Sequence, residues 1–159
     1  MFFGSKGGKV LAHYDMDLAD LMHFHFHGTK KVTLFHPNQA KYLYKVPYTV
    51  HNLETIDMDH PDFEKYPALR DVEGISVTMQ HGDALYMPSG YWHYITYEDA
   101  GFSITLRAFP RKGKRLVKLF SNLLFMRNFE NIMRRIQGEK WTDYKENKVL
   151  REVNKRYEK

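Results

Sequence analysis

The spacing of apolar residues changes near residue 110, and this change divides the chain into two parts. Before it, short runs of β-branched and aromatic residues, such as those at 31–35 and 75–79, are separated by Gly and Pro turns. About eight such runs lie in residues 1–110, a pattern typical of a β-sandwich or barrel. The eleven Tyr and eleven Phe residues of the chain favour the same β-rich body. We therefore predict a mainly β fold for residues 1–110.

The remaining residues, 111–159, follow a helical spacing. Their apolar side chains recur at every third or fourth position, namely Leu116, Leu119, Phe120, Leu123, Met126, Phe129, Met133 and Ile136. Gly138 is typical of a helix end, and a second helix is predicted over residues 143–157. The apolar stripe of this tail needs a partner, which is either the barrel or the same stripe of a second subunit.

The charge of the chain is divided at the same boundary. Residues 1–110 carry 9 Lys/Arg against 13 Asp/Glu, a net charge of −4, whereas residues 111–159 carry 15 against 6, a net charge of +9. A basic tail can attract nucleic acid or an anionic surface, but a solvated helical pair is the reading we favour. No stretch approaches the roughly 18 apolar residues of a membrane-spanning helix, and the first residues form no secretory leader. We therefore expect a cytoplasmic protein with no membrane partner.

Nine histidines and no cysteine limit the chemistry of the chain. A disulfide scaffold, a thiolate zinc site, an iron–sulfur cluster and a cysteine nucleophile are all excluded, so a metal would be held by His and carboxylate side chains. His13 and Asp15 are two positions apart and would share one face of a strand. His93, at the start of a later strand, is the best third ligand. Two His and one carboxylate form the facial triad of non-haem iron oxygenases, which leaves positions open for a co-substrate and oxygen.

Several strings of residues between Phe3 and Phe109 make the chain similar to a known family. They are His13-Tyr14-Asp15, Gly28-Thr29-Lys30-Lys31, Leu34-Phe35-His36-Pro37, Lys41-Tyr42-Leu43-Tyr44, Asp62-Phe63-Glu64-Lys65-Tyr66-Pro67, Gly82-Asp83-Ala84-Leu85-Tyr86-Met87-Pro88 and Trp92-His93. Together and in this order they resemble the cupin-like, JmjC-related 2-oxoglutarate oxygenases, the group that includes the asparaginyl hydroxylase of hypoxia-inducible factor. The basic helical tail resembles the bacterial branch of that family.

The resemblance implies a fold, a metal site and a co-substrate. It implies a double-stranded β-helix, the jelly-roll or cupin barrel, over residues 1–110, with residues 111–159 as a helical tail of the same structural unit. It implies Fe(II) bound by His13, Asp15 and His93, a site that other divalent metals can also enter. It further implies that 2-oxoglutarate binds the metal and that Lys30 pairs with its distal carboxylate, since a buried carboxylate needs a charged partner. Finally, it implies a homodimer through residues 115–157.

The chain departs from the family pattern at several positions. Val10 stands where the family has a hydroxyl residue, and Arg107 stands on or near the position of a family asparagine on the last strand. Arg107 would either add a second carboxylate anchor or block the site. The segment before the Gly-Thr turn is about two residues longer than expected and places His23 and His25 on one face, towards the cavity. We predict that His25 contacts the co-substrate or the metal and that His23 and Tyr86 line the pocket; the alternative is that the histidines bond each other and buried backbone.

These observations lead to three hypotheses of function. The first is an Fe(II)- and 2-oxoglutarate-dependent hydroxylase of unknown substrate. The second is a non-catalytic metal-binding barrel whose site is closed by His25 or Arg107. The third is an interaction module that uses the basic tail, and it ranks last because the tail carries no stacked aromatic platform for nucleic acid.

Overall fold

The computed structural model describes residues 1–158 as two β-sheets followed by helices. The eight strands are β1 (Phe2–Gly4), β2 (Lys9–His13), β3 (Asp20–His27), β4 (Lys30–Phe35), β5 (Gly74–Met79), β6 (Ala84–Met87), β7 (Trp92–Tyr97) and β8 (Gly101–Ala108). They pair antiparallel in two four-stranded sheets, ordered β1-β8-β3-β6 and β2-β7-β4-β5. This arrangement confirms the prediction of a mainly β jelly roll with a helical tail.

The two sheets pack face to face through an apolar interior. Leu21 and Met87 of the first sheet share one buried cluster with Val32, Met79 and Ile95 of the second sheet. These side chains alternate along their strands with side chains on the other face, as the two-residue period of a strand requires. The alternation of side chains along each strand therefore determines which residues line the interior between the sheets.

Strand β7 lies between β2 and β4 and is covered on both faces. Its residues His93 and Ile95 point into the interior, whereas Trp92 and Tyr94 point outwards. The long segment 36–73, which includes the 3₁₀ turns Pro37–Lys41 and Pro67–Asp71, packs over that outer face. A strand buried on both faces can hold its side chains in one position, which suits a site that needs fixed geometry.

The tail forms three helices that are separated by little or no loop. They are α1 (Gly113–Phe120), α2 (Arg127–Gln137) and α3 (Glu139–Asn154), with a π-helical stretch at Ser121–Met126 between the first two. Gly138 has a φ of 56°, and α3 begins immediately after it. The second helix thus starts four residues earlier than the predicted residue 143, because this one glycine makes the whole turn.

Side-chain contacts of α1 and α3 attach the tail to the barrel. Val149 and Val153 pack in one cluster with Tyr44 and Leu69 of the 36–73 segment. Tyr44 Oη also donates a hydrogen bond of 2.6 Å to Asn154 Oδ1. The barrel is therefore a partner of the tail's apolar residues on α3. Among residues 1–158, none of the helices combines the length and apolar character that crossing a membrane requires.

A buried ion pair joins α2 to α3. Lys145 Nζ lies 2.5 Å from Glu130 Oε1, and Trp141 Nε1 donates to Glu130 Oε2 at 2.9 Å. Burial alone would raise the pKa of the Glu130 carboxyl, but the hydrogen bonds from Lys145 and Trp141 outweigh it and hold that pKa below its usual value. The pair therefore stabilises the folded state above the unfolded-state pKa, and this contribution is lost as the pH falls through the lowered folded-state pKa.

We predict that Glu130→Gln lowers the free energy of unfolding by about 3–5 kcal/mol, because it leaves the ammonium of Lys145 buried without a charged partner. Urea unfolding at neutral pH measures this change. The control is Glu152→Gln, which removes an exposed carboxylate 3.9 Å from Lys148 and should cost less than about 1 kcal/mol. Equal losses in the two variants would contradict the role given to the buried pair.

The helices α1 and α2 and the stretch between them leave large apolar side chains in solvent. The most exposed are Val117, Leu124, Phe125, Ile132 and Ile136. Exposed apolar groups at this density are typical of a surface that contacts another molecule. The homodimer through residues 115–157 stays a prediction, and these side chains are where it is best tested.

If the dimer forms, Phe125→Glu should convert it to a monomer, because a charge would be buried in an apolar interface. Light scattering coupled to size-exclusion chromatography measures the mass directly. The control is Lys114→Glu at an exposed position of α1, which changes the charge more than Phe125→Glu does and should leave the mass unchanged. A wild-type chain that elutes as a monomer at all concentrations would refute the dimer.

Candidate metal centre

The register of β2 against β7 brings two histidines together. His13 and His93 are direct partners in the antiparallel ladder, and the centroids of their rings lie 4.2 Å apart. A β-irregularity between Val10 and His13 shifts the register at this point. Opposite residues of a ladder present their side chains on the same face, so both imidazoles point into the interior.

Asp15 follows β2 and completes a group of three. One ligand atom from each of His13, Asp15 and His93 lies within 4.8 Å of the others. The closest recorded approach between His13 and the carboxylate is 4.0 Å, from Nε2 to Oδ1. The structure thus brings together the three side chains that the sequence singled out as ligands, and no further His or carboxylate within residues 1–158 joins this group.

Hydrogen bonds to the backbone orient the two imidazoles. His13 Nδ1 donates to the carbonyl of Leu11 at 2.7 Å, and His93 Nδ1 approaches the carbonyl of Tyr91 at 3.4 Å. Because a carbonyl can only accept, Nδ1 carries a proton, and in the neutral form of the ring the lone pair is then on Nε2. Burial, with a smaller effect from His13, lowers the pKa of His93 to about 3, so its ring is neutral at pH 7. Neutral, oriented imidazoles are what a metal ion requires.

Arg107 is engaged by carboxylates at the edge of this group. Its Nη2 lies 2.7 Å from Asp15 Oδ2 and 3.0 Å from Asp17 Oδ1, and its Nε donates to Asp17 Oδ2 at 3.1 Å. Burial raises the pKa of Asp15, while Arg107 and then His13 oppose that shift. Arg107 therefore binds a proposed metal ligand in this structure, a contact that the sequence did not predict.

The three proposed ligands open into a cavity of about 140 Å³ between the sheets. Its apolar wall includes Val10, Leu21, Met87 and Ile95, and its polar lining includes Thr105 and Arg107. Thr105 and Tyr97 also line the cavity and were not predicted from the sequence. The alternation of inward positions along β7 and β8 is the signal that could have found them, since Tyr97 shares a face with His93 and Thr105 shares one with Arg107.

Lys30 is fully buried and lies behind His23. Its Nζ contacts His23 Nε2 and donates to Ser103 Oγ at 2.8 Å, while His23 lines the cavity as predicted and Lys30 does not. Burial lowers the pKa of Lys30 to about 8, and burial followed by Lys30 lowers the pKa of His23 to about 4. Among residues 1–158, no carboxylate oxygen lies within 4.0 Å of Lys30 Nζ. A buried ammonium without a counter-charge is suited to an anionic ligand.

The prediction that His25 contacts the metal or co-substrate is wrong for this structure. His25 is 1% exposed, its Nε2 donates to the carbonyl of Gly28 at 3.0 Å, and its Nδ1 accepts from Ser103 Oγ at 2.8 Å. Both ring nitrogens are thereby used, and His25 is neither a cavity-lining residue nor a member of the metal group. The alternative, in which the histidine satisfies buried polar groups, is the one observed.

The prediction that Tyr86 lines the pocket is also wrong. Tyr86 is exposed, and its Oη donates to Asp20 Oδ1 at 3.3 Å on the outer side of β6. The neighbouring residue Met87 is the one that points into the cavity. Successive side chains of a strand face opposite sides, so placing Met87 inside forces Tyr86 outside.

Comparisons with known proteins agree with this architecture. The family model described as a cupin-like domain matches residues 1–113. The chain is 29% identical to tRNA wybutosine-synthesizing protein 5 of Mus musculus over 102 residues. This aligned region covers 64% of this chain and 31% of the relative. It is 30% identical to JmjC domain-containing protein D of Dictyostelium discoideum over 107 residues. This aligned region covers 65% of this chain and 23% of the relative.

A solved structure is similar at lower identity. The ribosomal oxygenase YcfD from Escherichia coli aligns with a TM-score of 0.43 and 18% identity, over 79% of this chain and 26% of that one. The chain spans about a third or less of the length of the curated relatives named here. With the family model matching most of its length, the chain belongs to the cupin-like domain family and is related to JmjC-domain proteins.

Proposed function

We propose that this chain is a metal-dependent oxygenase of the hydroxylase type that uses Fe(II) and 2-oxoglutarate. The group formed by His13, Asp15 and His93 is the observation that carries the proposal. Two imidazoles and one carboxylate on one side of an ion leave its other positions open. When bound, Fe(II) with 2-oxoglutarate and oxygen supplies the oxidising power that hydroxylates a C–H bond. The relation to JmjC-domain proteins supports this choice over other uses of the same ligands.

The chain's own residues set the geometry of this site. The carbonyl of Leu11 holds the ring of His13 with Nε2 facing the group. Arg107 holds Oδ2 of Asp15 and leaves Oδ1 directed towards His13. The cavity wall beside these groups is apolar and includes Leu21, Met87 and Ile95, and an apolar wall favours a dry site. Fixed ligands and a dry wall are the protein's share of metal chemistry.

A buried ammonium suits a dicarboxylate co-substrate. Lys30 provides one and has no carboxylate partner among residues 1–158, whereas Arg107 lines the cavity beside the proposed metal ligands but is already paired with Asp15 and Asp17. Because His23 lies between Lys30 and the cavity, its side chain must release Lys30 before a distal carboxylate can reach the ammonium. Because the pKa of His23 is about 4, its ring is neutral at pH 7, and moving it does not require moving a buried charge.

A non-catalytic metal-binding barrel is the second candidate. The ion pair between Arg107 and Asp15 favours it, because the guanidinium occupies one oxygen of a proposed ligand. This candidate predicts metal binding without binding or turnover of 2-oxoglutarate. The same donor set also accepts manganese, nickel and zinc, so metal and co-substrate must be measured separately.

We predict that Asp15→Ala abolishes Fe(II)-dependent conversion of 2-oxoglutarate to succinate, with a loss of about 100-fold or more, because one of three metal ligands is removed. Anaerobic loading with Fe(II), addition of oxygen and NMR of the products measure the rate. The matched control is Asp99→Ala, an exposed carboxylate far along the sequence, which should keep wild-type turnover. Unchanged turnover in the Asp15 variant rejects the oxygenase assignment, and metal binding without turnover in the wild type supports the second candidate.

We further predict that Lys30→Met weakens binding of 2-oxoglutarate by about ten- to a hundredfold while Mn(II) binding is kept, because a charge-assisted contact is lost and the metal ligands are not. Calorimetric titration of the Mn(II)-loaded protein measures both. Lys31→Met removes the neighbouring exposed lysine and should change neither. The Lys30 variant should be at least as resistant to urea as wild type, because a buried charge has been replaced by an apolar side chain of similar length.

A further inference from the structure

A second cavity lies on the outer side of the strands that carry the metal ligands. Its volume is about 270 Å³, and its apolar wall includes Tyr14, Trp92, Leu18 and Pro37. Tyr14 lies between His13 and Asp15 in sequence, and Trp92 precedes His93, so their side chains alternate to the opposite face from the ligands. The two rings pack edge to face with centroids 5.3 Å apart. This cavity is thus distinct from the proposed metal centre.

Three basic side chains also line this cavity, two of them from the tail helix α1. They are Lys45 from the barrel side and Arg115 and Lys118 from α1. Arg115 is neutralised, because its Nη2 lies 2.7 Å from Asp20 Oδ2 and it also donates to the carbonyl of Leu18 at 3.3 Å. These contacts hold α1 against the start of β3 and the loop before it. The helix therefore forms one wall of the cavity.

The other two cations, Lys45 and Lys118, form no ion pair with any residue from 1 to 158. Within the part of the chain that the structure describes, neither Lys45 nor Lys118 comes within 4.0 Å of a carboxylate oxygen. Lys45 is half-buried, and its Nζ reaches only the carbonyl of Val46 at 3.5 Å and the face of Tyr14 at 6.0 Å. Burial, with a further contribution from Lys118, lowers the pKa of Lys45. Two like charges that face one cavity repel each other, and a bound anion would relieve that repulsion.

We propose that this cavity binds a small organic phosphate, a phosphate monoester on a compact apolar group. Two unpaired ammonium groups match the charge of a phosphate monoester, which is about −1.5 to −2 at pH 7. Lysine binds phosphate as a point charge and needs no planar fork. The aromatic and aliphatic wall suits the apolar group of the ligand, and the volume is slightly below the usual range for drug-sized ligands. A ligand here contacts barrel and tail together and therefore stabilises their docking.

The test uses phenyl phosphate as the probe, titrated into the full chain by calorimetry at constant ionic strength. Lys45→Gln and Lys118→Gln should each weaken binding about tenfold, because each removes one charge-assisted contact. The control is Lys114→Gln, which removes an exposed charge from the same helix outside the cavity and should leave the affinity unchanged. Phenyl phosphate should also raise the melting temperature of the wild type. If the Lys45 variant does not fold, the Lys118 variant still tests the proposal, because Lys118 is exposed.

Four results would overturn the proposal. One is the absence of saturable binding, and another is an equal loss of affinity in the Lys114 variant, which would indicate unspecific attraction by the basic tail. The third is inorganic phosphate binding as tightly as phenyl phosphate, because the apolar wall would then contribute nothing. Asp15→Ala should keep full affinity for phenyl phosphate; loss of binding in that variant would assign the probe to the metal centre instead. This readout does not depend on whether the chain is an oxygenase.

Discussion

The pairing of β2 with β7 is the contact on which the rest of the site depends. It sets His13 opposite His93 and, through the strand's alternation, directs Tyr14 and Trp92 to the other side. One ladder thus carries the proposed metal ligands on its inner face and an aromatic wall on its outer face. Because β7 is packed between neighbours and covered on both faces, these side chains have little freedom to move.

Buried charges are treated in two different ways in this molecule. In the tail, Glu130 and Lys145 neutralise each other, and the pair serves to hold two helices together. In the barrel, Lys30 is buried with no carboxylate of residues 1–158 beside it; it contacts His23 and Ser103, and its Nζ lies 5.6 Å from the ring centroid of Tyr97. The first arrangement is complete in the absence of ligand, whereas the second leaves a charge that an anion would balance. Because of this contrast we propose a binding role for Lys30 and a stabilising role for Lys145.

Periodicity predicted the strands well, and it failed where the direction of one side chain depends on its neighbours. The eight strands and the helical tail followed from the apolar pattern and the Gly and Pro turns. Tyr86 was predicted to point into the cavity because the sequence around it does not show which face of β6 points inwards. In the structure Met87 is buried on the inner face, so Tyr86 lies on the outer face. His25 was misplaced because its partners, Ser103 and Gly28, are contributed by β8 and by the turn before β4.

The sequence by itself determined the fold class, the family and the residue types that can bind a metal, because these depend on local patterns and on short strings of residues. The tertiary structure decided which of the nine histidines lie together, that Arg107 pairs with Asp15 and Asp17, and that His23 stands between Lys30 and the cavity. Such contacts join residues that are far apart in the chain. They arise from strand register and sheet packing, which no local pattern specifies.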